Sequence, residues 1–195
     1  MMIALRCRCG QLRGQVDTAR VAARAVCYCK DCQAYGRFLG SAGILDAAGG
    51  TEVAATLPAA VRFEAGQEHL ACMSLSPKGL YRWYAGCCRT PIGNTPRDPR
   101  SAYVGLVRAC LDAPDAELER LLGPLRCRVE TRSASAPVAS NGLSTAKVVG
   151  KVGWMLVKAR LGGGYRDNPF FQAGTDRPVK AVQVLTLEER KALTP

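Results

Sequence analysis

Apolar and polar positions alternate in short runs through the first 110 residues, which is the pattern of half-buried β-strands. Clusters of Gly, Pro and Asp separate the runs, as turns between strands require. The runs cover residues 10–16, 22–27, 61–64, 69–75, 79–85 and 103–109. We therefore predict a mainly β fold of the α+β class for this part of the chain.

Two short helices are predicted within the same region. Residues 29–35 have the length of one or two helical turns. A longer helix begins at Asp112-Ala113-Pro114, because Pro is favoured in the first helical turn, and it ends at Gly123-Pro124. We take residues 1–125 as a first domain that this helix completes.

The composition changes after this point, and residues 126–195 are predicted as a basic C-terminal extension. Residues 132–141 are rich in Ser, Ala and Pro, which indicates a linker. A helix is predicted at residues 143–161, followed by a final strand and a final helix. Thr186 and Glu189 have the spacing of a capping box, which marks where the final helix begins.

The predicted helix at residues 143–161 has an unusual polar stripe. At 100° per residue, Lys147, Lys151, Trp154 and Lys158 fall within a sector of about 60°, and most other positions are apolar or small. One interpretation is a helix packed on the domain with a narrow solvated stripe. The other is a helix that binds a membrane surface or a polyanion, because Trp among lysines suits a boundary between water and an apolar phase.

The formal net charge of +11 favours an anionic partner: a small acid, a nucleic acid or an anionic membrane. Much of the charge lies in the extension, which holds 12 basic and 5 acidic residues. The abundance of Arg, Ala and Gly is equally explained by a GC-rich genome, so the charge alone does not identify a partner.

The N-terminus lacks the pattern of an export signal, because Met1 to Leu5 is too short for an apolar core and Arg6 follows at once. No apolar run reaches the roughly 20 residues of a membrane span. We therefore expect a cytoplasmic protein, in a compartment where thiols stay reduced. In that compartment, clustered cysteines indicate metal ligands before disulfides.

Seven of the ten cysteines lie in three clusters whose short spacings suit a thiolate metal site. Zinc is held by four ligands in a closed structural site, and a site with three protein ligands keeps one position open. Seven clustered cysteines make one set of four and leave three. The clusters are Cys7-Arg8-Cys9, Cys27-Tyr28-Cys29-Lys30-Asp31-Cys32 and Cys87-Cys88, whereas Cys72, Cys110 and Cys127 are predicted to be buried and inert.

The order of these clusters resembles that of the glutathione-dependent formaldehyde-activating enzymes and their relative centromere protein V. The resemblance covers residues 3–112 and is strongest in the first two clusters and at Arg82-Trp83-Tyr84-Ala85-Gly86-Cys87-Cys88-Arg89-Thr90. It implies a β-tent of stacked antiparallel sheets with two zinc sites and with glutathione bound near the second. By resemblance the structural ligands are Cys7, Cys9 and Cys88, and the second zinc is held by Cys27, Cys29 and Cys32.

The sequence departs from the family pattern at two places. Tyr28 stands where the family has His, so a role of that His is absent. Ala85 stands where the family has the first cysteine of the last pair, and we predict that Cys87 replaces this ligand from an adjacent position, the alternative being that Cys87 only packs. Neighbouring side chains of a strand point to opposite faces, so Cys87 and Cys88 can share an ion only if the chain turns there, which Gly86 permits.

A zinc ion with three thiolates is a weak Lewis acid and prefers a soft sulfur as its next ligand. The resemblance implies a carbon–sulfur lyase that joins glutathione to formaldehyde as S-hydroxymethylglutathione. In this interpretation Cys27, Cys29 and Cys32 form the catalytic site, and Arg37 is the candidate for binding a glutathione carboxylate. His69, the single histidine, is predicted not to be catalytic.

Two other functions stay open from the sequence. Because the addition of glutathione to formaldehyde also proceeds without an enzyme, the protein can be a zinc-stabilised module that binds a thiol without turnover. Alternatively, it is an interaction protein whose basic extension binds nucleic acid or a membrane. The sequence does not decide among the three functions.

Overall fold

The structure, a computed structural model, describes residues 1–40 and 43–194. Within these residues the chain forms eleven strands and four helices. The strands are β1 (Met2–Arg6), β2 (Arg13–Asp17), β3 (Ala23–Cys27), β4 (Thr51–Thr56), β5 (Val61–Ala65), β6 (Leu70–Ser74), β7 (Tyr81–Ala85), β8 (Thr90–Thr95), β9 (Val104–Val107), β10 (Leu125–Val129) and β11 (Val182–Val184). The helices are α1 (Lys30–Phe38), α2 (Asp115–Leu122), α3 (Gly142–Leu161) and α4 (Leu187–Leu193).

The prediction of a mainly β, α+β fold is confirmed. A small sheet has the order β1-β2-β5, and a large sheet has the order β10-β3-β4-β9-β8-β7-β6-β11. All pairs are antiparallel except the two at the edges of the large sheet, where β10 pairs with β3 and β11 with β6 in parallel. The two parallel edge strands lie in the C-terminal extension, apart from Leu125, the first residue of β10.

The hydrophobic core lies between the two sheets. Leu5 of the small sheet packs in the same cluster as Trp83, Ile92 and Leu106 of the large sheet, and all four are almost fully buried. Phe170 of the extension completes this core, because its ring lies 5.2 Å from the ring of Trp83. Side chains of a strand alternate between faces, so the neighbours of Trp83 point away from this core, to the outer face of the large sheet.

Helix α1 covers the outer face of the large sheet. Tyr35 of α1 donates a hydrogen bond to the carbonyl of Trp83 at 2.7 Å, and Phe38 meets the ring of Tyr84 edge to face. Helix α4 packs beside α1, where Arg190 pairs with Asp31 at 3.1 Å. The extension thus contacts the region of residues 1–125 at both sheet edges, in the core and on the outer face; the domain boundary at residue 125 stays a prediction.

Four strands are not predicted by the sequence pattern: β1, β4, β8 and β10. Strand β8 contains Pro91 and Gly93, which mimic a turn, but its pairing with β7 shifts by a bulge that accommodates Pro91. Strand β4 is buried on both faces along most of its length and therefore lacks alternation. In the described part of the chain, no helix is both long and apolar enough to cross a membrane.

Candidate metal centres

The first and last cysteine clusters meet in the structure and form a four-cysteine cluster. Its sulfur atoms, from Cys7, Cys9, Cys87 and Cys88, all lie within 4.8 Å of one another. The Cys9 sulfur lies 3.4 Å from that of Cys7 and 3.3 Å from that of Cys87. A further two pairs, Cys7 with Cys87 and Cys87 with Cys88, are 3.9 Å apart.

These spacings fit a tetrahedral metal site. Zinc–sulfur bonds of about 2.3 Å at tetrahedral angles place the sulfur atoms about 3.8 Å apart. Burial raises the pKa of Cys88, but hydrogen bonds from Thr90 and Cys9 outweigh it and lower that pKa to about 6. Burial and the neighbouring thiols raise the pKa of Cys87. The cluster can therefore hold a metal ion with a full set of protein ligands.

The loop that carries Cys7 and Cys9 is shaped by its backbone. Gly10 has a φ of 76°, a left-handed conformation that lets the chain turn back, and its N–H donates to the carbonyl of Cys7. The N–H of Leu12 donates to the Cys7 sulfur at 3.3 Å. Arg8 then joins this loop to the last cluster, because its guanidinium donates to the carbonyl of Cys88 at 2.7 Å.

The adjacent cysteines reach the same cluster because strand β7 ends at Ala85. Residues 86–89 form a tight turn in which the N–H groups of Cys88 and Arg89 both donate to the Ala85 carbonyl. Ala85 itself is fully buried in the core. The turn predicted at Gly86 is present, and it brings both Cys87 and Cys88 to the sulfur atoms of the first cluster.

The middle cysteines form a separate three-cysteine cluster on the outer face of the large sheet. The sulfur atoms of Cys27, Cys29 and Cys32 lie within 4.8 Å of one another. Cys27 ends β3, Cys29 is the N-cap of α1, and Cys32 lies in the first turn of that helix. The Cys29 sulfur accepts the N–H of Cys32 at 3.3 Å. Among the described residues, no fourth His, Cys, Asp or Glu joins this group.

A buried arginine lies beside this cluster. Arg82 is only 2% exposed, and its guanidinium nitrogen lies 3.9 Å from the Cys32 sulfur and over the ring of Tyr35. No carboxylate of the described residues pairs with it, and its Nε has no hydrogen-bond partner among them. A buried cation without a counter-charge costs several kcal/mol, so thiolate sulfur is the anion that this position requires.

The environment shifts the pKa values of the three thiols in different directions. Hydrogen bonds from Cys27 and Cys29, with the charge of Arg82, hold the pKa of Cys32 at about 3 against its burial. Hydrogen bonding to Cys29 and Cys32, followed by burial, raises the pKa of Cys27. The N-terminal end of α1 adds a positive partial charge at the same place. Negative charge in the cluster is therefore centred on Cys32.

Polar groups surround the cluster on the sheet. Thr51 lies opposite Cys27 across the β3–β4 ladder, and its buried hydroxyl has no partner among the described residues. Arg82, Asn94 and Gly105 are neighbours in a row across β7, β8 and β9. A side chain at Gly105 would lie 2.8 Å from the hydroxyl of Tyr103 and 3.1 Å from the amide oxygen of Asn94.

Tyr103 extends the polar surface near the three-cysteine cluster. Burial, and then the charges of Cys27 and Cys32, raise the pKa of Tyr103 to about 12. Its hydroxyl therefore stays protonated at neutral pH and can donate a hydrogen bond. Because Gly105 has no side chain, the hydroxyl of Tyr103 and the amide of Asn94 share the space above it.

Arg37 lies at the far end of α1, not against the sulfur atoms. Its guanidinium donates to the carbonyl of Leu193 at 3.0 Å. It lines an open cavity of about 680 Å³ together with Lys30 and Arg132. Lys30 directly follows Cys29 in the chain, so this basic cavity lies next to the three-cysteine cluster. The role predicted for Arg37 in binding a carboxylate stays a prediction.

The remaining cysteines and the histidine lie apart from both clusters. Cys72, Cys110 and Cys127 are buried, as predicted, and burial raises the pKa of Cys72 and Cys110 to about 12 and also raises that of Cys127. His69 lies 3.7 Å from Glu68 and belongs to neither cysteine group. Tyr28 donates to the carboxylate of Asp46 at 2.9 Å and thereby anchors a loop.

The two clusters are linked through Arg89, which follows the four-cysteine cluster. Arg89 has a φ of 57° in the turn, and its guanidinium lies over the Phe38 ring at 4.9 Å. The same guanidinium donates to the Phe38 carbonyl at the end of α1. The turn that carries Cys87 and Cys88 therefore holds the helix that carries Cys32.

Sequence reasoning missed Arg82, Asn94, Tyr103 and Thr51 as residues of the site. One signal was available for Arg82, which interrupts a run of aromatic and apolar residues in a predicted strand. An Arg between Tyr81 and Trp83 is expected at a strand edge or beside an anion. The other three have common strand compositions, and only the sheet register brings them to the cysteines.

Comparison with protein families assigns the chain to a family of unknown function. The family model described as Family of unknown function (DUF6151) matches residues 1–183 of the 195. Because the match covers most of its length, the chain belongs to this family. No curated protein matches the sequence.

Proposed function

We propose that this member of the DUF6151 family is a zinc protein that binds the sulfur of glutathione at its three-cysteine cluster and acts as a carbon–sulfur lyase. The observation that carries the proposal is a set of three cysteine sulfur atoms that lacks a fourth protein ligand among the described residues. Three-ligand zinc sites keep a position for an exogenous ligand, and thiolate-rich sites favour sulfur. The resemblance to glutathione-dependent formaldehyde-activating enzymes suggests that this exogenous thiol is glutathione.

The chemistry of the donor atoms supports zinc at both clusters. Thiolate sulfur in sets of three or four, within 4.8 Å, is the ligand set that zinc accepts in proteins. Zinc held by Cys27, Cys29 and Cys32 would lower the pKa of an incoming thiol, so that its nucleophilic thiolate exists at neutral pH. The four-cysteine cluster would hold a structural ion, since it offers four protein ligands.

The buried arginine matches the charge of such a site. A divalent ion with three thiolates carries a net charge of about −1. The Arg82 guanidinium, 3.9 Å from the Cys32 sulfur, compensates that charge. Compensation matters because an anionic site repels an incoming thiolate, whereas a neutral one does not. Arg82 thus makes the site receptive to a second anion.

The proposed reaction needs little from the protein beyond binding and positioning. The glutathione sulfur forms a bond to the carbon of formaldehyde, and the carbonyl oxygen takes up the proton that the thiol lost. The protonated hydroxyl of Tyr103 is a hydrogen-bond donor on the same sheet face and can stabilise charge on that oxygen. The product is S-hydroxymethylglutathione.

A thiol-binding module without turnover is the second candidate. It is favoured by the groups around the cluster, because Thr51 and Asn94 have no ionisable group and the raised pKa of Tyr103 keeps its hydroxyl protonated near neutral pH. The only histidine is at His69, outside the cluster. Both candidates share the binding of glutathione and differ in turnover.

Cobalt in place of zinc tests the binding step. Its thiolate absorption bands change when another sulfur joins the ion, so glutathione should alter the spectrum and S-methylglutathione should alter it much less. Cys29→Ser should weaken the response while the chain stays folded. If cobalt occupies the site and its spectrum ignores millimolar glutathione, both candidate functions fail.

Turnover separates the two candidates. The rate of S-hydroxymethylglutathione formation is measured with the zinc-loaded protein and compared with the rate without protein. A rate above the uncatalysed one that is lost in Tyr103→Phe, with glutathione binding retained, supports the lyase. Binding without any rate increase supports the thiol-binding module.

A further inference from the structure

Helix α3 is apolar on two sides, one that packs on the domain and one that is exposed to solvent. Its packing side, which carries Val148, Val152, Met155 and Ala159, faces β10 and β3. On the opposite side Leu143 is 78%, Trp154 63% and Leu161 84% exposed. A helix packed on a domain normally turns polar residues outward, so this arrangement leaves an apolar face without a partner in the described chain.

This apolar face lies on one side of the helix and is densest in the C-terminal half, at Trp154, Val157 and Leu161. At 100° per residue, its side chains fall within a sector of about 60° directly opposite the packing side. No charged residue of α3 lies inside that sector. We define the outer face of α3 by these residues: Leu143, Gly150, Trp154, Val157 and Leu161.

Basic residues border the outer face, and acidic residues are absent from the helix. Lys147, Lys151 and Lys158 line one border, and Arg160 lies on the other side. Between Gly142 and Leu161 the sequence contains no Asp or Glu. The ammonium group of Lys158 lies 5.8 Å from the ring centre of Trp154, so charge and apolar surface meet at this border.

The lysine border opens onto a cavity at the edge of the large sheet. The cavity has a volume of about 500 Å³ and lies between α3 and the segment that precedes β3. Lys151, Lys158 and Arg20 line it, and Trp154 and Leu57 give it apolar walls. A phosphate group in this cavity would meet three cations beside an apolar surface.

We infer that the outer face of α3 docks the protein on an anionic phospholipid bilayer. The apolar side chains enter the boundary between headgroups and acyl chains, which lies about 5–10 Å deep for interfacial helices. The lysines reach the phosphates from the border of the face, with their aliphatic stems along the apolar surface. Anionic lipid supplies the counter-charge that a helix without acidic residues lacks.

Charge complementarity argues against other partners. Two copies of this face would bring their lysine borders together, and like charges at an interface oppose association. A nucleic acid would neutralise the lysines but would leave Leu143, Val157 and Leu161 in water. A lipid surface satisfies the apolar face and the border at the same time.

Vesicle binding by the zinc-loaded full chain tests the inference. We expect co-sedimentation with vesicles of equal parts phosphatidylglycerol and phosphatidylcholine, and at least tenfold weaker binding to phosphatidylcholine alone. Trp154→Ser/Val157→Ser should weaken binding at least tenfold, because it removes inserted apolar surface. Lys147→Glu/Lys151→Glu should do the same by reversing the border charge.

Matched variants control for general effects of charge and polarity. Leu187→Ser removes an apolar side chain that is 66% exposed on α4, and Lys78→Glu/Lys191→Glu reverses two exposed charges elsewhere. Both should bind vesicles as the parent does, and zinc content should be unchanged throughout. The inference is overturned if the parent protein does not bind vesicles at low salt, or if Trp154→Ser/Val157→Ser binds them as the parent does. It is also overturned if the protein binds RNA more tightly than vesicles, or if it forms a dimer that Trp154→Ser/Val157→Ser dissociates.

Discussion

The four-cysteine and three-cysteine clusters use the same ligand atoms in different settings. The first joins two loops that are 80 residues apart in sequence, Cys7 to Cys87, and half of its cysteines are exposed. The second takes all its sulfur atoms from six consecutive residues, Cys27 to Cys32, at the start of a helix. A metal ion would close a long loop in the first and only a short one in the second.

This difference predicts that a metal ion in the four-cysteine cluster would stabilise the fold more than one in the three-cysteine cluster. Closing a long loop removes more conformational freedom from the unfolded chain than closing a short one. A metal ion in the three-cysteine cluster would therefore contribute less to folding, and the three ligands would leave one metal position free. The link through Arg89 runs from the four-cysteine cluster to the end of α1, so the first cluster also supports the second.

The largest expected effect is the loss of stability when the long loop is opened. Structural zinc contributes about 10–16 kcal/mol in zinc-finger peptides, comparable to the whole stability of a domain. Cys9→Ser should therefore lower the melting temperature by more than about 10 °C, whereas Cys29→Ser should change it by less than about 4 °C. Calorimetry with zinc analysis measures both, and an unchanged melting temperature with full zinc content in Cys9→Ser would contradict the assignment.

The next effect tests the adjacent cysteines. Because Cys87 and Cys88 both lie within 4.8 Å of the first loop's sulfur atoms, Cys87→Ala and Cys88→Ala should each release one zinc ion per chain. Cys127→Ala is the control, since that buried thiol belongs to neither cluster. Atomic absorption after dialysis gives the stoichiometry. Retention of both ions by Cys87→Ala would mean that this residue only packs.

A smaller effect is expected at the buried arginine. Residues that support metal ligands typically change metal affinity 10–100-fold when mutated. Arg82→Met should weaken zinc binding at the three-cysteine cluster by that factor and leave the four-cysteine cluster unchanged, with Arg82→Lys in between. Competition with a chromophoric chelator measures both affinities. Equal weakening at the two clusters would indicate general unfolding in place of local charge compensation.

The smallest effect concerns recognition of the thiol beyond its sulfur. Exposed charge pairs contribute about 0.5 kcal/mol, so Arg37→Ala should weaken glutathione binding about twofold. Binding of 2-mercaptoethanol, which has no carboxylate, should not change. Titrations followed by the cobalt spectrum give both constants, with Arg62→Ala on the small sheet as the control. If Arg37→Ala weakened the binding of both thiols, Arg37 would act through the fold and not through a contact with the carboxylate.

The sequence predicted most of the fold because strands with one solvated face and capped helices carry local signals. The capping box at Thr186 and Glu189 is present, and α3 spans Gly142–Leu161. Strands β4 and β8 gave no such signal, because one is buried on both faces and the other depends on a bulge at Pro91. Strand β4 pairs with β3 and β9, which lie far from it in the sequence, and β8 depends on the register that its neighbours β7 and β9 impose.

The cysteine groups were predictable from spacing, but their surroundings were not. Short motifs fix which sulfur atoms can share an ion, as at Cys27, Cys29 and Cys32. Arg82 and Tyr103 approach these atoms only through the register of β7, β8 and β9, which local patterns do not encode. Nearness in sequence suggests Arg37, whereas helical geometry carries it about 7.5 Å along the axis from Cys32.

The two parallel edge strands have a consequence for the chain as it leaves the ribosome. β3 and β6 are synthesised long before β10 and β11, which later cover their outer sides. Until then both strands present unpaired N–H and C=O groups, the feature through which strands of different molecules aggregate. Translation slowed before residue 182 would therefore leave one edge open, and nascent chains at that stage would be substrates for chaperones that shield strand edges.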